Sequence, residues 1–232
     1  MIVFDGVSID SVAPVMIEDI RVYPIELDPV VRNRPIQAGS DFILNRKRTR
    51  TVAITFAILE QDNVERQRFL MGVSQWAKSD KEYKLELPNY PDLFLKAVCT
   101  NKPEPSLRQW WESKLRLVFT CFDDPFWNAK AEKSVSCGTD FHVLGDAPPL
   151  MRIERTLGAD ASNQSYSFSG KTMTFSTIPA GNMVIDLNRQ TAKVGNTSIM
   201  QYFSQTGKFI EPTTGNMKIT GTGTVKYRER WS

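Results

Sequence analysis

The chain has 232 residues, with 29 Lys+Arg against 26 Asp+Glu, and 41% of its residues are hydrophobic and 24% charged. That usage is ordinary for a globular protein with room for one large or two modest domains, and it argues against wholesale disorder. The net charge of +3 argues against a protein that holds nucleic acid on a basic surface, and no apolar run approaches the roughly 18 residues needed to cross a bilayer.

The opening "MIVFDGVSID" puts Asp5 where a signal peptide carries basic residues, so export by that route is not expected. Further on, "RTVAITFAIL" sets Val52, Ile54, Phe56 and Ile58 on one face and Thr51, Ala53, Thr55 and Ala57 on the other, the period of a strand. Asp62 followed by Glu65 forms a capping-box pattern for a helix that carries Phe69, Leu70, Val73, Trp76 and Ala77 at helical spacing. Strand patterns resume with Tyr83, Leu85 and Leu87, then "LFLKAVC", then Leu115, Leu117, Phe119 and Cys121 on one face. The first half is therefore expected to be a multi-stranded sheet carrying a single helix.

Between Cys137 and Met151 the texture changes, with Gly138, Gly145, Pro148 and Pro149 punctuating a stretch of weak periodicity. This predicts two domains, 1–136 and 137–232, with a linker over about 137–150. Short alternating runs follow ("LMRIER", "QSYSFS", "KTMTFS", "NMVIDL" and "KITGTGTVKY"), separated by turn residues at β-sandwich spacing. In the last run Ile219, Gly221, Gly223, Val225 and Tyr227 alternate with Thr220, Thr222, Thr224 and Lys226, which predicts one packed strand.

Cys99, Cys121 and Cys137 are widely spaced with no CxxC pair, so free thiols in a reducing compartment are expected. With a single histidine, His142, no short-range zinc ligand pair exists, and neither a metal nor another cofactor is expected. His142 has no GxSxG elbow to serve and sits in the expected linker as an exposed structural residue. The Gly221–Gly223 spacing is too short for a dinucleotide fingerprint.

The run "FTCFDDPFW" raises the one catalytic question. Paired carboxylates beside aromatics suggest a glycosidase, but neighbours on an extended strand point to opposite faces, and Asp before Pro initiates turns. The reading is architectural: Asp124 and Pro125 end a long strand, and Phe126 and Trp127 anchor the exit from the first domain. In "NRKRTR", Arg46, Lys47, Arg48 and Arg50 read as a charge-protected strand entry or a protein–protein rim rather than a phosphate site. Trp110 and Trp111 are adjacent and cannot both face one core, so one of them is a candidate surface contact.

Taken together, four segments resemble the distal tail proteins (Dit) of long, flexible-tailed bacteriophages, especially those of Gram-positive hosts. "AGSDFILNRKRTRTVAITFAIL" is similar to that family's early strand pair and "RQRFLMGVSQWAKS" to its single helix. "FTCFDDPFW" is similar to the ending of its first domain, and "TGNMKITGTGTVKYRERWS" to its closing strands, with Tyr227, Arg228 and Trp231. A single aspartate is usual in the third segment, so Asp124 is the match and Asp123 the departure.

The resemblance implies a mainly β fold: an N-terminal β-sandwich with one helix that assembles into a hexameric ring, and a galectin-like C-terminal β-sandwich outside the ring. It further implies a structural, non-enzymatic virion protein at the tail tip, assembled in the host cytoplasm. Its partners would be the tail tube protein, a tail-associated hub protein and a receptor-binding protein. Two other readings stay open at this point. One is a carbohydrate-binding accessory module contacting a host glycan; the other is another component of a tail tube or phage-derived bacteriocin.

Overall fold

The computed structural model describes the backbone of residues 1–33, 40–47, 49–60, 62–101, 105–109 and 112–232, and the side chains of all these except 28–47, 59, 105–109, 112 and 113. The fold is mainly β with a single α-helix among the described residues, and it divides into two compact units, 1–127 with Ser232 and 128–231.

The first unit begins with β1 (Val3–Phe4), β2 (Val7–Ser8), β3 (Val15–Val22), β4 (Leu27–Asn33), β5 (Ser40–Lys47) and β6 (Arg50–Leu59). Helix α1 (Asn63–Ala77) follows, then β7 (Tyr83–Glu86), β8 (Leu93–Cys99), β9 (Pro105–Gln109) and β10 (Glu112–Cys121). One antiparallel sheet runs β3–β6–β10–β9, with β8 also touching β10 at Phe119 and Thr120; a second runs β8–β7–β1–β2. The register explains the core. Phe56 stands opposite both Leu115 and Ile17, Ile54 opposite Leu117 and Ile20, and Val52 opposite Phe119 and Val22. The expected alternation of β6 and β10 therefore buries one face completely. Over it Phe4 packs edge-on against Trp76 and Tyr83 at 5.8 and 5.9 Å and against Phe119 at 5.1 Å.

Helix α1 starts where the capping pattern puts it. The Asp62 carboxylate accepts from the Val64 and Glu65 amides at 2.7 and 3.4 Å, satisfying two of the otherwise unpaired N–H groups of the first turn. Leu70, Val73 and Ala77 turn inward, together with Arg66. The hairpin β4–β5 forms a sheet of its own, pairing with no other described strand.

The second unit follows β11 (Trp127–Ala129). Its main sheet runs β19 (Thr197–Ser198), β18 (Thr191–Val194), β17 (Gly181–Asp186), β14 (Ala147–Leu157), β21 (Thr224–Trp231) and β12 (Lys133–Ser136). Hairpin β15 (Ala161–Phe168) with β16 (Lys171–Ile178) and the pair β13 (Phe141–Val143) with β20 (Gly215–Met217) complete it. Met151, Ile153, Ile185 and Val225 from the main sheet meet Tyr166, Met173 and Phe175 from the hairpin in one core.

Two expectations are corrected here. The division falls at 127/128 rather than 136/137, and residues 137–150 are not a linker. Gly138 (φ +86°) lies in the turn between β12 and β13. Gly145 (φ +104°) has no room for a β-carbon against the Arg230 carbonyl, and Pro148 and Pro149 occupy a register shift at the start of β14, where a missing N–H costs no ladder bond. The glycines and prolines shape close packing. Nor is "KITGTGTVKY" one strand. Gly221 and Gly223, at φ +134° and +130°, bend the chain under Tyr166 and past the Glu154 carbonyl, and β21 begins only at Thr224. Ile219 and Val225 nonetheless reach the same core.

Candidate functional site

Arg50 is in phase with Val52, Ile54, Phe56 and Ile58, so the strand period carries it to the inner face of β6, opposite Cys121. It is only 4% exposed, and its guanidinium lies over the Trp127 ring at 5.8 Å. That corrects its assignment to an outward strand entry or rim. Cation–ring attraction and a shared dry environment hold it in the first unit's own interior. Arg46, Lys47, Arg48, Trp110 and Trp111 lie outside the residues whose side chains are described.

The same corner gathers the strand exit. Trp127 is buried and packs on Tyr90 at 4.4 Å between ring centres. Asp124 is buried and accepts from the Phe126 amide at 3.3 Å, an Asx turn closed across Pro125, and Phe126 is half-buried. Asp123 faces solvent; its amide and that of Phe122 are both held by the Glu82 carboxylate, the former at 3.1 Å. The two aspartates thus part company in the bend that follows the end of β10 at Cys121. Burial pushes the Cys121 thiol up to about 12; the Glu82 and Asp124 charges add to this and Arg50 opposes it. At neutral pH that thiol is protonated and a poor nucleophile. The Cys99 and Cys137 thiols are raised by burial as well, and all three cysteines are free.

A cleft of about 400 Å³ opens beside the C-terminal half of α1, between Val7, Val12, Trp76 and Tyr83. Its polar groups are Asp5, Gln75, Lys78 and the Tyr83 hydroxyl, which donates to Asp80 at 3.0 Å; Trp76 donates to the Val7 carbonyl at 2.9 Å. No nucleophile stands beside a base among these groups. His142, on β13, is exposed and bonded to the Asn216 side chain at 2.7 Å. Among the described residues no group of three His, Cys, Asp or Glu side chains could hold a metal ion.

On the second unit, Arg152 reaches Glu132 through two bonds of 2.7 and 2.8 Å and Glu154 through a third of 2.6 Å, while Lys226 binds Glu154 at 2.7 Å. Hydrogen bonds from Lys226 and Arg152 hold the Glu154 carboxyl below its ordinary range. The large hydrophobic side chains exposed on this unit are Leu144 and Val184, with no aromatic among them.

No protein-family model matches the chain, and a search of the curated proteins by sequence finds no match. Among solved structures, that of SPP1 Dit (gp 19.1), described as a paradigm of hub adsorption apparatus in Gram-positive infecting phages, overlays at a TM-score of 0.82. The overlay covers 100% of this chain and 98% of that one at 13% identity. The phage P2 baseplate in its activated conformation, with Ca and with Sr, overlays at 0.45 with 7% identity, covering 92% and 93% of this chain and 90% of the other; this looser likeness adds nothing to the fold. Along its whole length, the chain has the fold of the SPP1 Dit protein.

Proposed function

We propose that this chain is a structural virion protein, a hub at the distal end of a phage tail that joins the tail tube to the baseplate or tail-tip host-recognition apparatus. It acts as a hexameric ring and without catalysis. The observation that carries the reading is the full-length overlay on SPP1 Dit, a protein described as part of a hub adsorption apparatus. The four Dit-like sequence segments support it from an independent direction. Residues 1–127 carry the ring contacts in this reading, and 128–231 form a galectin-like sandwich. An isolated two-stranded hairpin is at best marginal in water, and β4–β5 pairs with nothing else described in its own chain, which favours a neighbouring subunit as its support. The partners in the particle are the tail tube protein, a tail-associated hub protein and a receptor-binding protein.

Mass measurement in solution tests the first step: the purified chain should sediment as a hexamer, or become one when its tail partners are added. Labelled antibody in electron micrographs of the particle should mark the tail end away from the capsid. A strict monomer in both settings, or label spread along the tube, would overturn the assignment.

A further inference from the structure

The β1–β2 turn, the C-terminal half of α1 and the start of β7 enclose the cleft of about 400 Å³ described above, within the roughly 300–1,000 Å³ range of small-molecule sites. Its walls are fixed before anything binds. Asp5 and Gly6, at φ +52° and +78°, form the tight turn of the β1–β2 hairpin, and the Asp5 amide donates to the Lys84 carbonyl at 3.1 Å. The Trp76 indole N–H donates to the Val7 carbonyl and ties the helix to that hairpin. Gly72 lets the helix approach Val12 closely: a β-carbon there would lie 3.2 Å from the Val12 side chain. Phe4, buried beneath, meets the Trp76 and Tyr83 rings edge-on, and both of those rings are half-buried. The wall is therefore part aromatic and part aliphatic. At the rim stand Asp5, Gln75 and Lys78, all exposed, and none of these side chains has a hydrogen bond or ion pair among the described residues.

We propose that this cleft binds a neutral pyranose ring, the unit of an uncharged saccharide. An aromatic and aliphatic wall suits the C–H face of a sugar, and polar groups at the rim suit the hydroxyls around its edge. A hydroxyl both donates and accepts, so it needs partners of both kinds. The rim supplies them: the Asp5 carboxylate accepts, the Lys78 ammonium donates, and the Gln75 amide does both. One carboxylate against one ammonium leaves the rim without net charge, which favours a neutral ligand over a phosphate or an amine. An apolar side chain of a partner protein would fill the wall but gain nothing from that rim. With no nucleophile beside a base among these groups, the sugar is held and not cut. Each bond at the exposed rim replaces one to water and adds little, so affinity in the millimolar range is expected. The lining residues all lie within 4–83, so the site needs no assembly, and its failure would leave the hub reading untouched.

Saturation-transfer NMR on the intact protein tests this, with maltose, cellobiose and N,N′-diacetylchitobiose as probes and glycerol phosphate as an anionic comparison. At least one neutral probe should receive saturation, and its titration should shift the Val7 and Val12 methyl signals and the Trp76 indole N–H. Gln75→Ala combined with Lys78→Ala should weaken that probe about tenfold. Both positions are exposed and alanine is the best helix former, so the fold should survive, which an unchanged amide spectrum checks. Asp5→Asn keeps a residue that tolerates the left-handed turn, removes the charge, and should weaken the probe as well. The proposal is overturned if no neutral probe binds in the millimolar range, or if the substitutions leave binding unchanged. Binding of glycerol phosphate in place of the sugars would overturn it too. So would an apolar peptide that shifts the same methyl signals when no sugar does, which would make the cleft a protein-docking groove.

Discussion

Residues 1–127 and 128–231 are both built from antiparallel strands around one apolar core, yet they finish their sheets in different ways. The outermost strands of the second unit's main sheet are β19 and β12, two and four residues long. Those of the first unit's β3–β6–β10–β9 sheet are eight and five residues long. Short edges offer little template for further pairing, and long ones offer a good deal. Exposed apolar side chains divide the same way: of eleven large ones among the described residues, nine, including Met16, Tyr23, Val64 and Met71, lie in the first unit. The second unit closes on itself, tying Glu229 to Lys133 at 2.7 Å and to the Leu144 amide at 3.0 Å, and Arg228 to the Ala129 and Lys130 carbonyls. That contrast is one support for the proposal that the assembly contacts belong to the first unit.

The comparison breaks if the units do not fold separately. Phe119 is fully buried against Phe4 and Trp76, and Phe119→Ala should cost about 3–5 kcal/mol. In calorimetry that loss should appear as one early transition, with the second unit's transition unmoved. A next-largest effect is expected from Gly145→Ala in the other unit. At φ +104° the new methyl group meets the Arg230 carbonyl, backbone against backbone, at a cost of about 3 kcal/mol. This variant should shift only the second transition. Two variants that shift a single shared transition would mean that the chain unfolds as one body.

Why some of this was legible in the sequence and some was not follows from the same residues. β6 and β10 hold strict period two over their buried stretches, and α1 has a cap that binds two amides, so local chemistry and tertiary burial agree. β3 escaped notice because its bulge between Ile17 and Asp19 shifts the phase: Val15 and Ile17 face the core on one count, Ile20 and Val22 on the next. β1 and β2, two residues each, are too short to show any period. Glycine and proline misled at 137–150 and at 219–223 because the signal of a loose connection is also the signal of backbone packed tightly on backbone. Arg50 could have been placed from sequence, since it has the same parity as Val52, but the charges around it drew attention instead. The aspartate pair was readable through its turn chemistry, since Asp before Pro initiates a turn and Asp124 closes one on the Phe126 amide.

Asp62→Ala sharpens the first unit's side of the comparison. It removes the acceptor for the Val64 and Glu65 amides and should lower that unit's stability by about 1 kcal/mol, with Asp62→Asn restoring most of the loss. Chemical denaturation followed through the first transition measures it. A loss of similar size in the second transition would again argue for a single cooperative body.

The smallest expected effect is a pH dependence confined to the second unit. Glu154 is bonded by Lys226 at 2.7 Å and Arg152 at 2.6 Å, and these bonds hold its folded pKa below the ordinary glutamate value of about 4.3. A carboxylate depressed on folding contributes stability that is fully present above its unfolded pKa and is lost as pH falls through the lower, folded one. The contribution should therefore be intact at pH 6 and fade below about pH 4. The Glu154 side chain is 29% exposed and its partners more so, which puts the expected size at about 0.5 kcal/mol. Glu154→Gln should lower the second transition slightly at pH 6, and the gap to the parent chain should narrow as the pH is lowered towards 3. The first transition should show no difference between the two proteins at any pH. A gap that widens in acid would mean that the carboxylate is held in its neutral form by the fold, contrary to the two cations bonded to it.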